Sequence, residues 1–223
     1  MKPVENKVEE IKLKAIEEIE SKTWGVTHQF LNVHQIVYVN DKPKIAKVDR
    51  DKNDGTAIVY FPVEGEKFYF AVVLTTDPEI AVTRIYVEPY ISVCFSTMSE
   101  TIDLDKLADM TALKATSTWK KGDLKRIGGT VQHRVNRFRI EPNPGPDEFE
   151  DKMKMLLELL ETDKRGVTEL VEKAAGYVQV AIEFHNGNTM LGGPNISKET
   201  IKRLAALNLE IDFDLYVGGK FYK

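Results

Sequence analysis

The sequence holds one cysteine, Cys94, among 223 residues. A lone thiol closes no intramolecular disulfide and builds no cysteine metal cluster, which is the usage of a reducing compartment. Long apolar runs are missing too. The longest, Phe68 to Leu74, has seven residues, against about 20 for a helix that crosses a bilayer, so no membrane span is expected. From Met1 to Lys14 charge alternates with isolated Val, Ile and Leu, and no apolar stretch leads to a small-residue cleavage site, so a cytoplasmic location is expected. No sign of charge dominates: 31 Lys and Arg against 35 Asp and Glu leave a net charge of −4. Histidine and tryptophan are scarce, at four and two. Also absent are a Gly-x-Ser-x-Gly elbow, a His-Glu-x-x-His helix, a phosphate loop and a dinucleotide fingerprint. What is present, 42% apolar and 30% charged residues, is the balance of a globular chain of one large or two small domains.

Periodicity divides the chain in two. Val4, Val8, Ile11, Ala15 and Ile19 recur at helical spacing, so Val4 to Lys22 predicts one amphipathic helix. After Trp24-Gly25 the period falls to two, with strands expected around His34 to Tyr38, Thr56 to Val63, Lys67 to Thr75 and Ile80 to Val87. Turn residues at Asn53-Asp54-Gly55 and Glu64-Gly65 make these an antiparallel meander. From Tyr90 strands alternate with helices. Strands are expected at Ile91 to Thr97, Thr130 to Glu141, Tyr177 to His185 and Leu209 to Val217. Helices are expected at Leu104 to Leu113, from Phe149 to Leu160, from Val167 to a stop at Gly176, and after a Ser197 cap. The expectation is an α+β protein. Residues 1–88 form a helix-and-meander domain and residues 89–223 a sheet with helices on one face.

The segment Ala112-Leu113-Lys114-Ala115-Thr116-Ser117-Thr118-Trp119-Lys120-Lys121-Gly122-Asp123, with the ending Leu207-Asn208-Leu209-Glu210-Ile211-Asp212-Phe213-Asp214-Leu215-Tyr216-Val217, resembles the bacterial family called domain of unknown function 4279. The resemblance covers about residues 90–217. It carries no established reaction and implies a bacterial cytoplasmic binding protein, immunity-like in setting. The N-terminal part lies outside it, and its helix-then-meander order is cystatin-like by analogy of topology alone. Within the motif, Trp119, Lys121, Gly122 and Asp123 read as structural. The glycine supplies a turn with positive φ, and the ring is expected to bury against the sheet.

Strand alternation sends Ile91, Val93, Phe95, Phe138, Ile140, Val178, Val180, Ile182, Phe184, Ile211, Phe213, Leu215 and Val217 to the helix-covered side. It leaves Ser92, Cys94, Ser96, Arg137, Arg139, Glu141, Gln179, Glu183, His185, Asp212 and Asp214 on an open face. Three readings of that face stand. It is a set of solvated cross-strand charge pairs, or a partner-binding surface in which Arg137, Arg139, Glu183, His185, Asp212 and Asp214 receive a protein, or a divalent-metal hydrolase site at Glu183, His185, Asp212 and Asp214. A non-enzymatic protein-binding module without cofactor or metal is the leading expectation, with the hydrolase as the alternative. Lys114 to Arg139 has eight basic residues and one acid, a local charge of +7. The acidic total and the acids of the next helices nonetheless make nucleic acid an unexpected partner. His28, His34 and His133 fall singly along the chain and read as satisfied packing or surface residues.

Overall fold

A computed structural model describes residues 2–50, 54–125, 130–187 and 192–222. The chain divides into two compact units. The first gathers Met1–Tyr90, Glu183–Leu191 and Leu215–Lys223, and the second Ile91–Ile182 and Gly192–Asp214. The fold is α+β, as expected.

In the first unit the helix α1 (Lys2–Ser21) is followed by a second, α2 (Gly25–Leu31). Next come a hairpin of β1 (Tyr38–Val39) and β2 (Lys42–Pro43) and a four-stranded antiparallel sheet. The sheet runs β3 (Lys47–Asp49), β4 (Thr56–Pro62), β5 (Tyr69–Thr75) and β6 (Ala81–Glu88) in sequence order. Ile11, Ala15 and Ile19, the stripe legible in the sequence, bury against Ala57, Val59, Phe61, Phe70, Val72 and Leu74. The alternate residues Ile58, Tyr60, Ala71 and Val73 form a second buried cluster with Tyr69 and Tyr86. Both faces of β4 and β5 are therefore apolar, which is why their sequence is a continuous run. The strand expected around His34 to Tyr38 shrinks to the two residues Tyr38–Val39 of β1. Gly25–Leu31 is helical with Phe30 in the core, and Ile36 makes only a single bridge to Val63.

The second unit is built on a five-stranded sheet. Its strands are β7 (Tyr90–Ser99), β8 (Ser117–Trp119), β9 (Asn136–Ile140), β10 (Tyr177–His185) and β11 (Ile211–Gly218), in the order β11-β10-β7-β9-β8. The last residues of β10 and β11 fall in the first unit. β9 pairs antiparallel with β7 and β8. Val178 N–H donates to Glu210 C=O, and Asn186 N–H to Gly218 C=O. The offset is the same at both ends, so β10 and β11 run parallel. The helices are α3 (Leu104–Asp109), α4 (Phe149–Leu160), α5 (Lys164–Ala174) and α6 (Lys198–Ala206). Phe149 of α4 meets Phe213, and the backbone after α5 lies against the Phe95 ring, so these helices cover the apolar face of the sheet.

Several expectations need correction. α3 stops at Asp109, before the Thr-Ala-Leu that continued its pattern. The strand expected from Thr130 shrinks to Asn136–Ile140, and its Gly128-Gly129 turn lies outside the described residues. α5 ends on Ala175, which takes φ +46° itself, rather than on Gly176. Leu215 and Val217 are 62% and 58% exposed, because β11 is an edge strand.

Candidate functional site

The polar face of the second unit carries two hydrogen-bonded groups. Register sets Arg137 opposite Met98 and Arg139 opposite Ser96, on the side away from Phe95, Phe138 and Ile140. Arg139 donates to Ser92 Oγ at 2.7 Å and pairs with Glu141 at 3.0 Å, while Ser92 donates to Glu141 at 2.7 Å. Arg137 Nε donates to Ser96 Oγ at 2.7 Å and its Nη2 to Gln179 Oε1 at 2.6 Å. Gln179 in turn donates to Asp214 at 2.8 Å. At β7 and β9 the alternation expected from the sequence therefore holds, but this face is not solvated at its centre. Ser92, Cys94 and Ser96 are buried, and burial pushes the Cys94 thiol up from its ordinary pKa. The guanidinium forks thus bind inside the layer.

At the β8 edge the layer opens. Arg137 stacks over the Trp119 ring at 5.2 Å, and the His133 ring stands 6.1 Å away. Trp119 is half-buried rather than buried, because three-residue β8 lies at the edge of the sheet, with no further strand beside it among the described residues. A hairpin continues from it. Gly122, at φ +92° where a side chain would strain the backbone, gives its N–H to His133 C=O. His133 returns its own N–H to Asp123 C=O, and Lys125 donates to Val131 C=O. The buried Asn136 clamps the turn, accepting from Lys121 N–H and donating to Ile102 C=O. Lys121 Nζ reaches Glu100 C=O at 2.9 Å. The result is a cleft of about 500 Å³ lined by Ser117, Thr118, Trp119, Lys120, Asp123, Leu124, Lys125 and His133.

The remaining candidates divide between the units. Arg137, Arg139, Asp212 and Asp214 belong to the second, where Asp212 is exposed. Glu183 and His185 belong to the first. Glu183 pairs with Lys67 at 3.0 Å. His185 is fully buried, and its Nε2 lies 2.9 Å from Nε2 of buried His34, among Phe30, Phe68 and Tyr222. Gly187 N–H donates to His185 Nδ1, so the His185 proton sits on Nε2 and His34 Nε2 accepts it. Lys220 N–H points to the same His34 nitrogen at 3.4 Å. The His34 proton is then on Nδ1, 4.0 Å from Glu66. Burial lowers the pKa of both imidazoles. This pairing spans 151 positions of sequence, and no spacing rule could have revealed it. Among the described residues no three His, Cys, Asp or Glu side chains are grouped to hold a metal ion, and no helix is long and apolar enough to cross a membrane.

No curated protein and no solved structure matches the chain. The family model described as Domain of unknown function (DUF4279) matches residues 88–218, a span that contains the polar layer and the Trp119 cleft and is more than half of the chain, and the protein belongs to that family.

Proposed function

We propose that this chain is a non-enzymatic protein-binding module of the bacterial cytoplasm, immunity-like in role, and that the Trp119 cleft is where its partner docks. The observation that carries the reading is the half-buried tryptophan on an edge strand, held by an internal arginine and facing an open cleft. Aromatic side chains with one exposed face supply much of the energy of protein interfaces. Arg137 and Arg139 serve this reading from beneath, since Arg137 is engaged by Ser96 and Gln179 and Arg139 by Ser92 and Glu141. The hydrolase alternative gains no support. Its imidazole, His185, bonds to His34, and its carboxylates are divided between the units.

Affinity capture from the native host with the full chain and with Trp119→Ala tests the proposal. The variant should lose the captured partner while its stability falls by only about 0.5–1 kcal/mol, the scale of an exposed cation–π contact. Retention of the partner by Trp119→Ala would remove the cleft from the interface.

A further inference from the structure

Resting on the protein-binding reading, we infer that the Trp119 cleft takes an extended acidic segment of a partner, in which carboxylates flank an apolar side chain. Two cations stand at the cleft, Lys120 and Lys125, both exposed. Neither pairs with a carboxylate among the described residues, although the chain as a whole carries more acids than bases. Two nearby cations are engaged, Lys121 by the Glu100 carbonyl and Arg137 by Ser96 and Gln179. Among the described residues that line the cleft, the two lysines are thus the cations left for a ligand. The same lining carries two large apolar side chains. Trp119 presents its ring, and Leu124 is 61% exposed beside it. Apolar side chains and unpaired ammonium groups in one cleft complement carboxylates placed beside a Leu or Phe.

A nucleic-acid strand fits less well. Its charge is continuous and calls for a track of cations, whereas the cleft also holds Asp123 and the molecule is net negative.

Trp119 reports directly on the site. The chain has two tryptophans, so Trp24→Phe leaves Trp119 as the sole emitter. This full-length protein is titrated with a Glu-rich peptide containing one Leu and one Phe, with its Gln-for-Glu and Lys-for-Glu counterparts, and with oligo-dT. The Glu-rich peptide should shift Trp119 emission saturably and bind at least about tenfold more tightly than the other three. Its binding should weaken in high salt, where exposed charges are screened. Lys120→Glu with Lys125→Glu should cost about tenfold or more, and Lys120→Gln with Lys125→Gln an intermediate amount, with unchanged circular dichroism. Equal binding of the Gln and Glu peptides, tighter binding of the Lys peptide, or tighter binding of oligo-dT overturns the acidic-segment inference and leaves the cleft as a binding site. No emission change with any probe overturns both.

Discussion

Lys152 lies one turn into α4, on the side that carries Phe149, Met153 and Leu156, and it is 1% exposed. Its Nζ donates to the carbonyls of Asn143 and Gly145, so the ammonium closes the Pro-rich connection before the helix. A buried ammonium is tolerated only with such partners. Lys152→Met keeps the length and the apolar stem but strands those carbonyls, so stability should drop by about 2–4 kcal/mol in urea unfolding at unchanged m. A loss below about 1 kcal/mol would mean that water replaces the ammonium. The sequence places Lys152 three positions after Phe149, on the apolar stripe, where a charged residue type carries no signal of burial. Trp119 shows the opposite limit. Its size suggested a core ring, but a residue's burial follows from its element's place in the sheet, and three-residue β8 gives it an edge.

Among elements, those with a long unbroken period were legible. α1, α4, α5, α6, β4, β5 and β10 fall where periodicity set them, because each buries one stripe or one continuous run. α2 was not legible, since seven residues give barely two turns and its Val26-Thr27 pair favours strand. The end of β10 also escaped. Alternation put His185 with the polar residues, while both Phe184 and His185 are buried there. His185 belongs to an element-scale latch in which the end of β10, the turn after α2 and the Lys220–Tyr222 tail meet at one Nε2–Nε2 bond. The groups facing it are Glu66, Lys220 and Tyr222. Burial holds both imidazoles below their ordinary pKa, so the folded state resists protons that the unfolded chain takes up near pH 6.5. The stability contributed by the neutral pair is therefore present above that pH and is lost as the pH falls below it. Urea unfolding at pH 7.5 and at pH 5.5 should show a loss of stability in the wild type that is smaller in the His34→Phe, His185→Phe double variant. An identical pH dependence in the two proteins would sink the latch.

For the whole molecule, the change of pattern near Glu88 to Tyr90 was visible in the sequence, and the family match begins at residue 88. The returns of the chain were not. Glu183–Leu191 and Leu215–Lys223 join the first unit through contacts that carry no local signature. Phe68 meets His185, Tyr222 packs on the Phe30 and Phe68 cluster, and Gly219 sits at φ +86° where a Cβ would lie 2.8 Å from Phe68 and 2.9 Å from His185. A fragment ending at Tyr90 keeps α1, α2 and the four-stranded sheet but loses every one of these partners. His34 loses its bond to His185, and Phe30 and Phe68 lose the rings that cover them. Aromatic burial of this kind is worth about 1.5–3 kcal/mol per ring, a large part of the stability of a domain this small. Residues 1–90 alone should therefore unfold at lower denaturant than the full chain, or bind a hydrophobic dye without a cooperative transition. The same fragment joined through a flexible linker to residues 215–223 should recover part of the loss, since Gly219 and Tyr222 return with the tail. Residues 1–90 as stable by urea unfolding as that tail-joined fragment would show that the meander and α1 suffice, and that the returning segments only decorate a core already complete.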